Sequence, residues 1–322
     1  MPFGWEAAGI KENLEMPPRL MTPLDYVKYA LSQEEYGEDA RRLFHGRGGV
    51  LPLWKHLSVD WYAPALLVTL YEESALSEGF LAELDEWARA DSRVACLAVQ
   101  RRYLQRSPVE VRWGTLPDQA HERGLRFVLS LDKNQNHGFF PDMRPGRDWV
   151  REHAEGKRVL NLFSYTCALS VAAMAGGASE VVNLDLSSRA LSVGRENHRL
   201  NFESESCSCV RYLAHDLFKS WGRIKRQGPY EMVILDPPSH QPGSFVALKD
   251  YPRMLRRLPE VIHPAGADIL VCLNAPELGE AFVADLVAEY LPSAEFLKRL
   301  PEAPGYLESG EGWGLKRLVY RL

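Results

Sequence analysis

The stretch "RVLNLFSYTCALSVAAMAGGASEVVNLDLS", residues 158–187, reads as a strand, a turn, a helix and a second strand. "RVLNLF" and "EVVNLD" are apolar runs of strand length, and the residues between them suffice for one helix crossing back over the sheet. A tight turn between strand and helix ordinarily takes Gly, because the backbone there turns left-handed or approaches a neighbour closely. This turn carries Cys167 instead.

Downstream the alternation continues. "EMVILD" and "ADILVCL" are further buried runs, separated by helical patterns such as "SSRALSVGRENHRLN" and "LKDYPRMLRRLPEVI". This predicts an α/β fold with a doubly wound, mostly parallel sheet over residues 146–322. "AEFLKRL" and "LKRLVYRL" have no crossover-length helix between them and predict an antiparallel hairpin at the sheet edge. Upstream, "PALLVTLYEE", "RVACLAVQRR", "VEVRWG" and "LRFVLSLD" read as strands and "LSEGFLAELDEWARA" as a helix, so residues 63–145 form a small accessory α+β module. The Gly, Pro and charges of "NQNHGFFPDMRPGRDWVREHAEGK" suggest a hairpin-like crossing between the two, with the boundary near 145. Residues 1–62 read as short helical pieces and loops of unassigned role.

A chain of 322 residues, 46% hydrophobic, is long enough for such a fold plus an accessory region. No apolar run approaches the ~20 residues of a membrane span, and the first 20 residues lack the apolar core of a signal peptide, so a cytoplasmic protein is expected. Five scattered Cys predict neither a disulfide framework nor a zinc site. Cys207 and Cys209 read as small residues of a strand, and no metal is expected. The net charge of −5 does not advertise nucleic-acid binding. Local basic clusters nevertheless stand out: Arg101, Arg102, Arg106 and Arg112 in the accessory module, and Lys249, Arg253, Arg256 and Arg257 beyond residue 245. Either could hold phosphates or be a solvated face.

In an open α/β sheet, ligands sit beyond the carboxyl ends of the strands. The first strand ends "NLFSYT" and the second at Asp185, 24 residues after Asn161, where a carboxylate suits both hydroxyls of an adenosine ribose or a helix N-cap. The third ends near "LAHDLF", which brings Asp216 to the adenine amino group. The fourth ends "ILDPPSH". Two consecutive Pro fix φ and leave carbonyls unpaired beside Asp236, an arrangement that suits a planar, hydrogen-bonding ring or, more blandly, a sharp turn. No G-x-G-x-x-G is present, so NAD and FAD are disfavoured, and S-adenosylmethionine, which has no phosphate, suits the loop.

These motifs resemble the class I S-adenosylmethionine-dependent 23S rRNA methyltransferases whose catalytic domain is shared by cytosine-C5 and guanine-N7 enzymes. Gly138, Phe139, Phe140, Asp142 and Arg144, with Arg147 beyond, match the segment that precedes that domain. The resemblance runs from about 63 to 322 and implies a Rossmann-like sheet of seven strands, the last antiparallel. It implies a cofactor held at Phe163, Ser164, Asp185 and Asp216, around which Arg144, Asn161, Tyr165, Thr166, Leu186, Leu217 and Asp236 are the further candidate contacts. The target base would lie on Asp236, Pro237, Pro238 and Ser239, and Asn274, at the end of the fifth strand, is a further candidate to contact it.

Two residues depart from the family pattern. Cys167 replaces its Gly, and His240 stands where an aromatic usually follows D-P-P-x. The cytosine enzymes add a thiolate to the base first. Asn274 aligns with that nucleophile and Cys272 precedes it by two, on the same face of a strand. Cys272 reads as a structural Cys, and Asn274 suits a base nitrogen that is already nucleophilic. The expected function is methylation of an RNA base, in large-subunit rRNA. The rivals are a methyltransferase for protein or small molecules, and a non-catalytic S-adenosylmethionine- or RNA-binding protein.

Overall fold

Period-two patterning builds the N-terminal unit. The strands β1 (Arg41–His45), β2 (Leu57–Tyr62), β3 (Ala65–Leu70), β4 (Cys96–Arg101) and β5 (Val109–Gly114) lie in that order in one sheet. Only β3 and β4 run parallel, because the helix α2 (Ala75–Ala90) crosses between them; α1 (Pro23–Ser32) precedes the sheet. On one face Val59, Trp61, Leu66, Val68, Leu97 and Val99 pack with Val27 and Leu31 of α1 and Phe80, Leu81 and Leu84 of α2. Alternation therefore puts Ser58, Asp60, Thr69 and Gln100 on the other face, all buried. The computed structural model describes residues 22–133, 135–238, 240–241, 245–275, 277–310 and 314–322. The boundary expected at 62 falls inside this sheet, since β2 and β3 pair from Leu57↔Leu70 to Tyr62↔Ala65. Polar residues within "LFHGRGG" and "LSVDWY" hid two buried strands.

A second correction concerns residues 134–157. The hairpin lies earlier, as β6 (Gln119–Glu122) and β7 (Leu125–Val128), and the segment itself carries the helix α3 (Arg144–His153). Pro145 sits in the first turn of α3, where its missing N–H costs nothing, and Trp149 and Val150 bury its apolar side.

The larger sheet has seven strands: β8 (Arg158–Leu162), β9 (Glu180–Asp185), β10 (Val210–Ala214), β11 (Met232–Leu235), β14 (Asp268–Leu273), β15 (Glu295–Arg299) and β16 (Lys316–Arg321). A two-stranded ribbon, β12 (His240–Gln241) with β13 (Phe245–Val246), follows β11. The sheet order is β10-β9-β8-β11-β14-β16-β15, with β8 to β14 parallel and β16 antiparallel to both neighbours. The expected seven-stranded sheet with its antiparallel edge hairpin is thus present. The helices α4 (Ala168–Ala175), α5 (Ser188–Asn201), α6 (Trp221–Gln227), α7 (Ala247–Arg257) and α8 (Glu280–Tyr290) provide the crossovers. Cys207 and Cys209 lie in a 3-10 turn and not in a strand. On α5, Asn197 and Asn201 accept from the Val128 and Arg126 N–H groups at 2.7 and 2.8 Å, which fastens the hairpin to the larger unit.

A candidate active site at the carboxyl ends of the strands

The turn after β8 is strained. Phe163, Tyr165 and Cys167 have φ of 58°, 46° and 62°, left-handed values that cost a non-Gly residue about 1–2 kcal/mol each. Several contacts hold it: Tyr165 N–H donates to Asp185 Oδ2 at 2.8 Å, Thr166 Oγ1 to the Gly138 carbonyl at 2.6 Å, and Asn197 Nδ2 to the Thr166 carbonyl at 2.8 Å. Strain of this kind persists where the surroundings over-determine it, and it clusters at ligand sites. Cys167 is fully buried, and its thiol fills the space above Gly194, where a Cβ would stand 2.4 Å from Sγ. The Cys fits the turn because α5 has Gly194 facing it.

The turn opens onto a cleft of about 900 Å³ between the two units. Phe163, Ser164, Tyr165, Thr166, Asp185, Leu186, Asp216, Leu217, Asp236, Pro237, Pro238 and Asn274 all line it. Asp185 accepts one backbone N–H on each oxygen, from Tyr165 and Ser187 at 2.8 Å, which leaves each a free lone pair. Asp216 Oδ1 accepts from Phe218 N–H at 2.9 Å. Beyond Asp216, the Phe218 ring lies 3.9 Å from the Arg253 guanidinium carbon.

A family model described as "S-adenosylmethionine-dependent methyltransferase" matches residues 41–321. The chain belongs to that family. It is 30% identical over 217 residues to ribosomal RNA large subunit methyltransferase I of Aeromonas salmonicida, covering 64% of this chain and 54% of that protein. It is 29% identical over 269 residues to the Aeromonas hydrophila protein of the same name, covering 79% and 64%. The chain thus spans just over half to about two thirds of these relatives' length. Among solved structures, SMU.776 complexed with SAH has a TM-score of 0.78 at 21% identity, covering 93% of this chain and 81% of that one. A SAM-dependent methyltransferase from Agrobacterium tumefaciens has 0.61 at 19%, covering 83% and 87%. At these identities the likeness is one of fold.

S-adenosylmethionine fits this cleft. Asp185 and Asp216 stand at the ends of adjacent strands with acceptor capacity to spare, and the strained turn beside them needs room for no phosphate. Two residues expected at the cofactor are elsewhere. Asn161 is fully buried, and its Nδ2 donates 3.0 Å to Asn183, its register partner on β9. Arg144 is buried against Asp39, 3.0 Å away, and the Tyr36 ring, and does not line the cleft. Arg147 lines it instead, in a buried two-pronged pair with Glu122 at 2.5 and 2.8 Å, while donating to the Phe140 carbonyl at 3.0 Å.

The D-P-P loop meets a second carboxyl. Burial, then the nearby Asp142 carboxylate, pushes Asp236 up to about 7 against the pull of Arg317 and Arg147. Asp142 is itself raised by burial. Two fully buried cations of β16 pin the neighbouring loops. Arg317 donates to the Asp142 carbonyl at 2.8 Å, and Lys316 to the Ala275 carbonyl at 2.9 Å, directly beyond Asn274. Neither was foreseen; the signal was a charged pair inside the apolar run "LKRLVYRL". Cys272 is fully buried in the core, its carbonyl accepts from the Tyr251 hydroxyl, and burial holds its thiol well above its ordinary value. Ser239 and the side chain of His240 lie outside the described residues. Of the basic clusters, Arg101 and Arg112 pair with Glu110 at 2.5 and 3.2 Å, Arg253 with Asp250 at 2.6 Å and Arg257 with Glu260 at 3.0 Å. Arg102 lines the cleft.

Proposed function

We propose that this methyltransferase acts in the cytoplasm on a base of large-subunit ribosomal RNA, at a ring or exocyclic nitrogen. The observation that carries the reading is that one cleft is lined both by Asp185 and Asp216, which we assign to the cofactor, and by Asp236, Pro237, Pro238 and Asn274, which we assign to the base. The named function of the curated relatives supports RNA as the substrate. A base reaches such a pocket by leaving its helix. Phe140, 42% exposed and 5.4 Å from the Tyr165 ring, offers an aromatic face at the mouth.

S-adenosylmethionine, when bound, would supply a methyl carbon activated by a sulfonium: a nitrogen lone pair of the base would form the new N–C bond as the C–S bond breaks, with S-adenosylhomocysteine leaving as a neutral thioether. The protein's part is alignment: the Pro237 and Pro238 segment and Asn274 orient the ring, while the backbone clamps from Lys316 and Arg317 keep their loops from drifting. Asp236, poised near neutrality, accepts a proton from an attacking N–H. A thiolate route is disfavoured, because Cys272 is sealed in the core and Asn274 occupies the exposed position. The test is nucleoside mass spectrometry of 23S rRNA from a strain lacking the gene, with methyl transfer to that RNA by the purified protein. Loss of one methylated nucleoside, restored by the wild type and not by Asp236→Ala, is expected. Unchanged rRNA would overturn the assignment.

A further inference from the structure

The cleft does not end at the base edge. Its far wall is the polar face of the accessory sheet, where Asp60, Thr69 and Gln100 line it and Thr69 and Gln100 stand side by side as register partners. Gln100 Oε1 and His137 Nε2 are buried at this wall without a hydrogen-bond partner among the described residues. At its outer end the cleft runs into a second, open groove of about 350 Å³ lined by Arg47, Lys55, Tyr71, Glu72, Arg102 and Gln135. Arg47, Tyr71, Arg102 and Gln135 line both.

Three cations meet there and, among the described residues, none forms an ion pair. This separates them from Arg101, Arg112, Arg253 and Arg257, whose charges are met by neighbouring carboxylates. Arg47 and Arg102 hold their guanidinium carbons 4.7 and 5.5 Å from the centre of the Tyr71 ring, so one aromatic ring organises both. The backbone around Arg47 is fixed as well. A Cβ at Gly46 would lie 1.9 Å from the Trp54 carbonyl oxygen, and one at Gly48 1.8 Å from that of Leu307, so "HGRGG" allows only Gly on either side of the Arg. With Glu72 in the same groove, the balance is still two positive charges.

We propose that Arg47, Lys55 and Arg102, gathered about Tyr71, form a phosphate-binding subsite that holds the RNA backbone next to the nucleotide in the cleft, an inference that rests on RNA being the substrate. The strand then crosses the accessory sheet, and the unpartnered Gln100 and His137 atoms face the nucleotide between this subsite and Asp236. Cationic contacts of this kind position a nucleic acid without reading its sequence.

The test uses the full chain and protein-free 23S rRNA from a strain lacking the gene, with binding and transfer measured across a salt series. Each phosphate contact removed lowers the slope of log affinity against log salt by about 0.7–0.9. The triple variant Arg47→Ala, Lys55→Ala, Arg102→Ala should therefore lose about 2.1–2.7 from that slope, with KM for RNA up at least tenfold, kcat within about threefold and S-adenosylmethionine affinity unchanged. Arg47→Lys with Arg102→Lys should keep the wild-type slope, and so should Arg89→Ala on the helix behind the sheet. A wild-type slope in the triple variant would overturn the subsite alone. Loss of slope in the double Lys variant would mean that the arginines act through packing, and would overturn it too. A wild type that binds the cofactor but shows no salt-dependent binding to this RNA would overturn both the subsite and the RNA assignment.

Discussion

Replacing Asp236 by Asn should make the protein more stable above neutral pH while removing its activity. Burial first and Asp142 second raise the Asp236 carboxyl from 3.8 to about 7, with Arg317 and Arg147 opposing the rise. In the unfolded chain the group returns to its ordinary value. Between pH 3.8 and about 7 the native state therefore binds more protons than the unfolded one, so stability falls as pH rises through that window and levels off above it. A shift of about three units at about 1.4 kcal/mol each gives a penalty on the order of 4 kcal/mol. Asn has nearly the same shape and no charge to desolvate. Asp236→Asn should match the wild type at pH 4 and exceed it at pH 8.5 by about 2–4 kcal/mol, the lower figure allowing for an imperfectly paired amide. For a chain of this length that is several degrees in Tm, at about 2 °C per kcal/mol. Thermal unfolding from pH 4 to 8.5, paired with a methyl-transfer assay, reads both consequences. An equal Tm difference at the two pH values, or a wild type that is the more stable at pH 8.5, would refute the reasoning.

Asp185→Ala removes the acceptor of two backbone N–H groups and the edge expected to hold the ribose, so calorimetry should find S-adenosylmethionine affinity down at least tenfold, about 1.4 kcal/mol; unchanged affinity would sink that role. Gly194→Ala drives a Cβ to 2.4 Å from Cys167 Sγ and should cost about 1–3 kcal/mol in denaturant unfolding. Cys167→Gly alone should change little, because the relief of a left-handed φ offsets the lost thiol packing, and the double variant should recover most of the Gly194→Ala loss; strictly additive losses would contradict this contact. Wild-type protein should form no covalent adduct with 5-fluorocytidine-substituted RNA, and Cys272→Ser should keep activity with some loss of stability. An adduct on a denaturing gel that disappears with Cys272→Ser would restore the thiolate route.

The larger sheet was legible because its signals are local. Apolar runs of strand length alternate with helical patterns, and a cleft-lining residue such as Asp185 or Asp216 is marked by standing where such a run ends. The accessory sheet was only partly legible. Its first two strands carry Arg42, Ser58 and Asp60, and burying them depends on partners at a distance: Arg42 on β1 donates to Asp60 on β2 at 2.6 Å. Pro145 and Gly146 likewise read as a turn, although both sit comfortably in the first turn of a helix.

The sequence by itself determined the alternation of strands and helices, the D-P-P loop, the two carboxylates at neighbouring strand ends and the absence of a phosphate-binding glycine loop. Each is written within a few consecutive residues. Only the tertiary structure decided which charges matter in the cleft. The clamps on its loops join residues far apart in the chain, Lys316 to Ala275 across 41 positions and Arg317 to Asp142 across 175. It also took Asn161 and Arg144 out of the cleft lining, one into a cross-strand hydrogen bond and the other into an ion pair with Asp39. Whether a polar side chain serves a ligand or a neighbour depends on what covers it, and that is set by the packing of distant segments.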